Sequence, residues 1–368
     1  MLFRSHVGAS TTDPEAVQIR LFERPGIALS SGMQKEVEKH FTRQELRRVP
    51  FAAIGSISYP ARARESYASD LLADLDVQAI RARGFRVIVD YGYSAGSDVL
   101  PLVLGPLGVE AVTAHPFESD AGSPPVRLSV TIDQAKRLVP AVEASFGAVF
   151  DRSAERIFLI DETGREIRPD QALLLFLHLI AKNRSGKIAV PITATSQVEE
   201  VVGDRLEVVR TQATLPALTE AAAADGVIFA GAPGGGYVFP GFLPAYDAIA
   251  SLCKLFELLA AVDEPMSALI AALPRPALIH RQLQCPWSLK GTVMRVLNER
   301  FADGNVDLRD GIKIFDDRGW VQVLPDPDEP VVHLYAEGDT TEASEDLERE
   351  LRTVVTDVIE REEIGARG

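Results

Sequence analysis

The chain has 368 residues, of which 46% are hydrophobic and 25% charged, enough apolar material for the cores of about two to four domains. Its formal net charge of −15 argues against nucleic acid and anionic membranes as partners. Two cysteines, Cys253 and Cys285, cannot supply a disulfide framework, so we expect a cytoplasmic protein. The longest apolar run, residues 172–181, is too short to span a membrane, and no signal peptide is recognisable.

The first 58 residues predict one strand and one helix. VQIRLFE (17–23) has the composition of a strand, and residues 31–48 have the pattern of a helix. Because one strand and one helix cannot enclose a core, we expect residues 1–58 to be a domain that lacks its earlier portion. A strand without sheet partners leaves an exposed edge, which favours a homo-oligomer or pairing with another chain.

Two central segments alternate strands with helices, a pattern that predicts α/β domains with mainly parallel sheets. In residues 59–166, a buried strand is followed by a helix that ends at Gly108, and a second helical pattern over 133–147 ends at Gly147. Residues 167–276 continue the alternation and finish with a long helix over 246–262. We expect two α/β domains with these boundaries.

The C-terminal segment, residues 277–368, has a different pattern. Strands within 310–325 and 329–338 precede a helix over 343–363 whose apolar residues recur at helical spacing. This order predicts an α+β domain in which one helix face packs on an antiparallel sheet.

Four short segments stand in a fixed order: GASTTDPEAVQIRLF (8–22), DRSAER (151–156), GAPGGG (231–236) and LPDPDEPVVHLYAE (324–337). They resemble the phosphoserine, metal, sugar-selecting and phosphate loops of the α-D-phosphohexomutase superfamily, which includes phosphoglucomutases and phosphomannomutases. The resemblance spans nearly the whole chain. It implies an α/β fold of phosphohexomutase-like α/β/α domains with mixed sheets plus a C-terminal α+β domain.

The phosphoserine loop keeps its serine and loses its histidine. The resemblance places Ser10 at the phosphorylated position as the candidate catalytic nucleophile, and Thr11 where the family has histidine. A serine hydroxyl needs a neighbouring base or a metal to become a good nucleophile. The alternative is that Ser10 is only a loop residue.

The metal loop keeps two of its three carboxylates. By resemblance, Asp151 and Glu155 are remnant Mg²⁺ ligands, Ser153 replaces the central ligand, and Arg156 is a candidate catalytic residue that stabilises charge. Mg²⁺ prefers oxygen ligands in a close-fitting octahedron, so a neutral hydroxyl and the adjacent Arg152 are expected to weaken its binding. The alternative role is structural, with an ion pair between Asp151 and Arg152 or between Glu155 and Arg156.

The sugar-selecting loop has lost its polar side chains. Ala232, Gly234 and Gly236 stand where the family has glutamate, serine and histidine, so Gly231, Gly234 and Gly235 are left as candidate substrate contacts through their backbone. A glycine-rich phosphate cradle is the alternative, but a strand-like segment follows these glycines where such a cradle requires a helix.

The phosphate loop has become acidic. Leu324 and His333 replace the two arginines of the family pattern, and Asp326 and Asp328 replace its serine and threonine. Prolines at positions 325 and 327 also remove backbone N–H donors. We expect this loop to repel phosphate.

These changes predict a phosphohexomutase-like protein of sugar-phosphate and sugar-nucleotide metabolism whose catalysis has degenerated, with a regulatory or scaffolding role and no required cofactor. Residues 41–67, 285–295 and 324–330 resemble the mutase-like half of bacterial mannose-1-phosphate guanylyltransferase fusions, which implies a sugar nucleotidyltransferase domain or subunit as partner. The alternative is an active Mg²⁺-dependent phosphomannomutase or phosphoglucomutase acting on hexose phosphates. A weaker alternative is a binding module for an unphosphorylated sugar or a nucleotide.

Overall fold

The structure, a computed structural model, describes residues 4–9, 17–24, 26–44, 48–54, 56–117, 126–302, 304–327 and 329–367. The chain divides into two units. The first comprises Met1–Val190, Glu199–Val209 and Thr214–Leu273, and the second comprises Pro191–Val198, Arg210–Ala213 and Pro274–Gly368.

The chain opens with a small antiparallel sheet followed by a helix. Its elements are β1 (Arg4–Ala9), β2 (Val17–Glu23), β3 (Ile27–Ala28) and α1 (Ser31–Thr42). β2 pairs with β1 on one side and β3 on the other, so the prediction of a strand without preceding sheet partners was wrong. The sequence RSHVGA of β1 holds one large aliphatic residue, Val7, and therefore carries almost no strand signal. The helix also ends six residues earlier than predicted.

The second sheet has the order β5-β4-β6-β7. Its strands and the preceding or intervening helices are α2 (Ala63–Ala73), α3 (Val77–Arg83), β4 (Arg86–Asp90), α4 (Leu100–Leu107), β5 (Glu110–Ala114), α5 (Leu128–Ala141), β6 (Phe146–Phe150) and β7 (Ile157–Asp161). β4, β5 and β6 are parallel, and β7 is antiparallel to β6. The Gly108 stop is confirmed, because Gly108 ends α4 in the left-handed conformation.

The predicted helix end at Gly147 was wrong, because α5 ends at Ala141 and Gly147 lies inside β6. A Cβ at Gly147 would lie 2.6 Å from Cγ2 of Val139 on α5. This glycine therefore permits close packing of the helix on the strand, a role that sequence pattern cannot distinguish from a helix stop.

The third sheet has the order β11-β10-β8-β9. The elements of this segment are α6 (Pro169–Asn183), β8 (Gly186–Pro191), α7 (Gln197–Val202), β9 (Leu206–Thr211), α8 (Leu215–Ala222), β10 (Val227–Gly231), β11 (Tyr237–Val238), α9 (Ala248–Ala260) and α10 (Met266–Ala272). β10 runs parallel to β8 and antiparallel to β11. The apolar helices α6 and α9 are buried almost throughout. The ring of Phe256 on α9 packs against that of Phe146 in the second sheet, with ring centres 5.6 Å apart.

The C-terminal segment forms a five-stranded antiparallel sheet of order β12-β16-β15-β14-β13. Its elements are β12 (Ile279–Gln284), α11 (Trp287–Arg300), β13 (Asn305–Asp307), β14 (Ile312–Asp316), β15 (Gly319–Pro325), β16 (Val331–Gly338) and α12 (Thr341–Arg367). Residues of α11 and α12 pack on one sheet face around Val323, Val332 and Leu334. The predicted α/β fold class with mixed sheets and a C-terminal α+β domain is confirmed. β12, α11 and β13 were not predicted, since β12 is mostly polar and α11 contains a glycine.

A buried carboxylate joins two parts of the second unit. Glu337 of β16 accepts hydrogen bonds from Trp320 Nε1 and Ser196 N, each at 2.8 Å, and from the hydroxyl of Thr195. These donors satisfy a charge that would otherwise be costly to bury. They also fasten residues 191–198 to the C-terminal sheet. No helix among the described residues combines the length and apolarity needed to cross a membrane.

The N-terminal hairpin exposes an apolar face. Val7, Val17 and Ile19 lie on the same side of β1 and β2, and their exposed fractions are 62%, 69% and 63%. Exposed apolar faces beside a sheet edge favour association with another surface.

We expect the protein to form a dimer or larger assembly through this face, as light scattering over a range of protein concentrations can show. The double substitution Val7→Thr with Ile19→Thr keeps strand-forming side chains while removing apolar surface, and should shift the assembly toward monomer. Val126→Thr, at a partly exposed valine elsewhere, should leave it unchanged. A wild-type protein that stays monomeric at high concentration would contradict this prediction.

Candidate functional site

The loop of residues 151–156 follows β6 at the carboxyl edge of the second sheet. In the sheet, β5 and β6 lie on opposite sides of β4. The chain therefore moves from β4 to β5 in one direction and then returns past β4 to form β6. In open α/β sheets, ligands bind at such a reversal, beyond the carboxyl ends of the strands. The position of this loop is therefore that of a functional site, and its chemistry depends on its side chains.

The carboxylate of Asp151 accepts three hydrogen bonds from its own loop. Its Oδ1 accepts hydrogen bonds from the backbone N–H of Glu155 at 2.8 Å and of Arg156 at 3.1 Å. Its Oδ2 accepts the hydroxyl of Ser153 at 2.8 Å, and the same hydroxyl lies 3.4 Å from Oε2 of Glu155. Ala154 completes the tight turn with a φ of 54°. The loop is thus folded around the Asp151 carboxylate.

Glu155 is paired with a residue far away in sequence. Its carboxylate forms a salt bridge with the guanidinium of Arg20 on β2. Both side chains are about three-quarters buried, with exposed fractions of 24% for Arg20 and 27% for Glu155. The Arg20 guanidinium also lies 5.6 Å from the ring centre of Phe22. This pair differs from both ion pairs considered from sequence, which joined neighbours within the loop.

The loop does not fit a Mg²⁺ ion. Mg²⁺ requires several oxygen ligands with lone pairs free to point at one centre. Here the oxygens of Asp151 accept three hydrogen bonds, and Glu155 is neutralised by Arg20. In the described part of the chain, no three His, Cys, Asp or Glu side chains are grouped to hold a metal. The assignment of Asp151 and Glu155 as remnant ligands stays a prediction from sequence.

The glycine-rich loop, residues 231–236, packs directly on the start of β7. The Gly235 carbonyl accepts a hydrogen bond from Ile157 N at 2.9 Å, and Gly236 forms a bridge with Arg156. Gly235 has a φ of 84°, and a Cβ there would lie 2.7 Å from the Ile157 carbonyl oxygen. A Cβ at Gly236 would strike the ring of Tyr246. Close packing therefore accounts for these two glycines without any ligand.

The remaining predicted residues of the first unit lie around this packed loop. Gly231 ends β10 and is buried, whereas Gly234 is exposed near the Arg156 guanidinium. Arg156 itself is exposed. The structure thus brings Arg156, Asp151 and Glu155 beside the glycine-rich loop. Ser10 lies outside the described residues, and its role as nucleophile remains a prediction, as do the roles of the others.

Three further polar residues, Asp247, Tyr67 and Tyr246, lie at the start of α9 or beside the glycine-rich loop. Asp247 begins α9 by accepting a hydrogen bond from Ala250 N at 2.9 Å, and it accepts the Tyr67 hydroxyl at 2.6 Å. Burial raises the pKa of the Asp247 carboxyl, and the charge of Glu155 adds to the rise. Burial likewise raises the pKa of Tyr246 to about 12, against the lowering effect of Arg156. Tyr67 was not predicted, since no local pattern links it to a residue 180 positions away.

In the second unit, the acidic loop after β15 is held by a lysine. Lys290 of α11 is buried and donates hydrogen bonds to the carbonyl of Asp326 at 2.6 Å and to that of Glu329. Its ammonium lies 3.7 Å from the ring centre of Trp287. Asp326 also accepts from Glu329 N at 2.7 Å. The loop is closed on an internal cation that sequence reasoning did not assign to it.

A chain of hydrogen bonds connects this loop to the edge strand β12. His333 Nε2 lies 2.8 Å from Oδ2 of Asp326, and His333 Nδ1 lies 2.9 Å from Nε2 of His280. The His280 ring stacks on Tyr335, with ring centres 4.4 Å apart. His333 stands where the family pattern has an arginine, and in this structure it joins Asp326 to His280. Whether the loop repels phosphate is not tested by these contacts and stays a prediction.

Removing Lys290 should destabilise the second unit. Lys290→Met removes the charged donor from the carbonyls of Asp326 and Glu329, of which the second keeps the backbone N–H of Val331. Loss of a hydrogen bond to a charged group costs about 1.5–3 kcal/mol of unfolding free energy. Urea unfolding of the full chain would measure the loss. The control is Lys187→Met, because Lys187 is an exposed surface lysine and its replacement should change stability little. Equal stabilities for the two variants would contradict the assigned role of Lys290.

Acidification should destabilise the protein through His280. His280 is exposed at the edge of the sheet, but desolvation by the rings packed against it, and secondarily the charge of His333, lowers its pKa from 6.5. The unfolded chain therefore binds more protons than the folded chain below that value. Stability is then present above pH 6.5 and falls as the pH decreases toward the folded-state pKa. His280→Gln should give a shallower loss of unfolding free energy on acidification than wild type. His6→Gln, at a histidine of β1 outside this cluster, should keep the wild-type slope; a wild-type slope in His280→Gln would contradict the assignment.

Comparison with known proteins identifies the family of these domains. Models of the phosphoglucomutase/phosphomannomutase family match the chain twice, α/β/α domain II at residues 65–164 and domain III at residues 168–277. A probable phosphoglucosamine mutase of Methanopyrus kandleri is 28% identical over 361 residues, which cover 96% of this chain and 78% of that protein. A phosphoglucomutase/phosphomannomutase of Thermococcus kodakarensis is 28% identical over 341 residues, covering 91% and 75%.

Solved structures of the same superfamily share the fold. A phosphoglucomutase/phosphomannomutase family protein of Burkholderia thailandensis superposes with a TM-score of 0.80 at 20% identity, covering 97% of this chain and 76% of that one. N-acetylphosphoglucosamine mutase of Aspergillus fumigatus, in complex with GlcNAc-6P and magnesium, superposes with a TM-score of 0.64 at 15% identity. The match covers 97% of this chain and 89% of that one. Such identities establish the fold alone. With the two domain matches, they confirm the sequence resemblance: the chain belongs to the α-D-phosphohexomutase superfamily.

Proposed function

We propose that this phosphohexomutase-like protein does not catalyse phosphoryl transfer and serves sugar-nucleotide metabolism as a regulatory or scaffolding subunit. The observation that carries the proposal is the state of the 151–156 loop. Its Asp151 accepts three hydrogen bonds from backbone and hydroxyl donors, and its Glu155 is paired with Arg20.

Phosphoryl transfer depends on positioned cations more than on covalent chemistry. The charge spread over the transferred group must be matched by a metal ion or by arginine and lysine side chains. In the first unit, Arg20 is committed to Glu155, which leaves Arg156 as the candidate charge stabiliser next to the glycine-rich loop. Each lost electrostatic contact of this kind costs about 10²–10³ in rate, so several losses together leave little catalysis.

The sugar and phosphate loops support the same proposal. A hexose is fixed in an enzyme by polar side chains, and the 231–236 loop offers none, with Gly235 and Gly236 closed against Ile157 and Tyr246. In the loop after β15, the lysine that could attract phosphate, Lys290, is buried and donates to backbone carbonyls. Each loop thus satisfies its own polar groups.

The partner class comes from the sequence. Residues 41–67, 285–295 and 324–330 resemble the mutase-like half of mannose-1-phosphate guanylyltransferase fusions, so we propose a sugar nucleotidyltransferase as the regulated or assembled partner. Four domains with the boundaries 1–58, 59–166, 167–276 and 277–368 belong to this proposal. We place the function in the cytoplasm, since both cysteines are buried thiols without a disulfide.

An active mutase is the second candidate, favoured by the names of the relatives, which are phosphoglucosamine mutases and phosphoglucomutase/phosphomannomutases. In that case Ser10 would carry the phosphoryl group, Asp151 and Glu155 would hold Mg²⁺, and Arg156 would stabilise charge. Mg²⁺ would supply charge neutralisation to the transferred group. The Ser153 hydrogen bond to Asp151 and the ion pair between Glu155 and Arg20 would then compete with the ion for these carboxylates.

The test is a coupled mutase assay on the purified chain with millimolar Mg²⁺ and a bisphosphorylated sugar activator. The 1-phosphates of glucose, mannose and glucosamine are the substrates, because the relatives' names point to all three sugars. We expect no turnover above background. Asp151→Asn is the matched control, because turnover from a contaminating mutase would be equal in the variant.

Two outcomes decide between the candidates. Turnover near one per second that Asp151→Asn abolishes would overturn the proposal and establish a mutase. Absence of turnover, together with a changed rate of the organism's own sugar nucleotidyltransferase when this protein is added, would support it.

A further inference from the structure

We infer that His280 and His333 form a binding site for a divalent transition-metal ion such as Zn²⁺ at the edge of the C-terminal sheet. The ligands are Nε2 of His280 and Nδ1 of His333, and Asp326 positions the second ring. All three residues belong to the second unit. The site is independent of the proposed function, because it uses none of the residues of the 151–156 loop.

The sheet brings the two histidines to one face. β12 and β16 are antiparallel, with His280 opposite Tyr335 and Gln282 opposite His333. Because side chains alternate between the two faces of a sheet, His280 and Gln282 share the face of His333. β12 is also an edge strand of this sheet. Two imidazoles therefore meet on neighbouring strands at the edge of the sheet.

The facing nitrogens are close to the spacing that a metal requires. Nε2 of His280 lies 2.9 Å from Nδ1 of His333. In a tetrahedral zinc complex with Zn–N bonds of about 2.0–2.1 Å, two nitrogen ligands are about 3.3 Å apart. The exposed His280 ring can supply the remaining shift of about 0.4 Å and turn its lone pair toward the ion. A neutral His280 that carries its proton on Nδ1 presents Nε2 as a ligand.

Asp326 holds His333 in the tautomer that binds metal. Nε2 of His333 lies 2.8 Å from Oδ2 of Asp326. Because an ionised carboxylate only accepts hydrogen bonds, Nε2 carries the proton of neutral His333 and Nδ1 keeps its lone pair. Metal-bound histidines in proteins typically donate their second N–H to a carboxylate in this way. The N–H of Glu329 donates to Asp326 at 2.7 Å and fixes the carboxylate in turn.

Stacking orients the other ring. The His280 ring lies nearly parallel to that of Tyr335, with an interplanar angle of 9° and ring centres 4.4 Å apart. Its centre also lies 5.1 Å from that of the His333 ring. A side chain that is already ordered loses less conformational entropy when it binds a ligand. Both nitrogen ligands thus belong to rings that are held in place before the ion arrives.

The donor atoms and the local charge define the class of ion. Imidazole nitrogens suit Zn²⁺, Cu²⁺ and Ni²⁺, whereas Mg²⁺ prefers oxygen ligands. The adjacent carboxylates of Asp326 and Glu329, within a chain of net charge −15, attract a cation. In the part of the chain that the structure describes, no three His, Cys, Asp or Glu side chains are grouped around one metal position. The site therefore supplies two protein ligands and leaves the other positions to water.

The first experiment titrates the full chain with Zn²⁺ by calorimetry at neutral pH, with millimolar Mg²⁺ present to occupy surface carboxylates. Wild type should bind Zn²⁺ saturably, one ion per chain. His280→Gln and His333→Gln should each weaken this binding by at least about tenfold. His6→Gln, at a histidine of β1, is the matched control and should bind as wild type does. Absence of saturable binding by wild type, or equal binding by all four proteins, would overturn the inference.

A second variant tests the positioning role of Asp326. Asp326→Asn removes the charge that orients His333, and should weaken Zn²⁺ binding by about 10–100-fold. The melting temperature of the metal-free variant is measured alongside. A lower melting temperature with unchanged Zn²⁺ affinity would show a role in folding only and would contradict the positioning role.

The third experiment asks for a gain of affinity, which no loss of folding can imitate. Gln282→His adds an imidazole on the face of His280 and His333, and should tighten Zn²⁺ binding by at least about tenfold, since zinc sites gain from each further nitrogen ligand. Arg281→His puts the imidazole on the opposite face and should bind as wild type does. Equal affinities for these two variants would place the ion elsewhere and overturn the inference. Mutase turnover tests the proposed function alone, and these titrations test this site alone.

Discussion

The first unit depends on how the charge of Glu155 is balanced. Two carboxylates within five residues, at the carboxyl edge of a parallel sheet, cannot be brought together unless donors or cations meet them. Asp151 accepts hydrogen bonds from backbone N–H groups of its own loop, and Glu155 forms a salt bridge with Arg20 of β2. The attachment of the hairpin to this loop and the shape of the loop follow from this arrangement. The backbone of Ala154 then accepts from Ala248 N at 2.9 Å, which fixes the start of α9 against the same loop.

In the second unit, a buried lysine stabilises the acidic loop after β15. The loop after β15 is acidic, and its backbone turns around the ammonium of Lys290, which is shielded by Trp287. Asp326 is tied to His333 and through it to His280. In both units, a loop that the superfamily uses to hold something external is closed by a side chain of the protein itself. Internal closure keeps the fold, because the backbone turns retain their polar partners.

Sequence predicted the fold well where apolar periodicity was strong. The runs that form β4, α6, α9 and β16 are long and apolar, so their type could be read directly. β1 and β12 could not, since polar strands are defined by hydrogen-bonded neighbours and not by their own composition. Of the candidate site residues, the structure brings Asp151, Glu155 and Arg156 beside the glycine-rich loop, and their functional roles remain predictions. Arg20 and Lys290 were missed because their partners lie 135 and at least 36 positions away, a distance that only the folded chain closes.

The central claim is that the loops have lost the ability to transfer a phosphoryl group, and the most direct measurement is of the first half-reaction. Incubating the chain with glucose 1,6-bisphosphate and Mg²⁺, then recording its intact mass, reports whether a phosphoserine forms. Ser10→Ala and Asp151→Asn serve as controls for transfer to Ser10 and for dependence on the metal loop. The account predicts an unchanged mass for wild type and both variants. A gain of one phosphoryl group on wild type that both variants lose would contradict it.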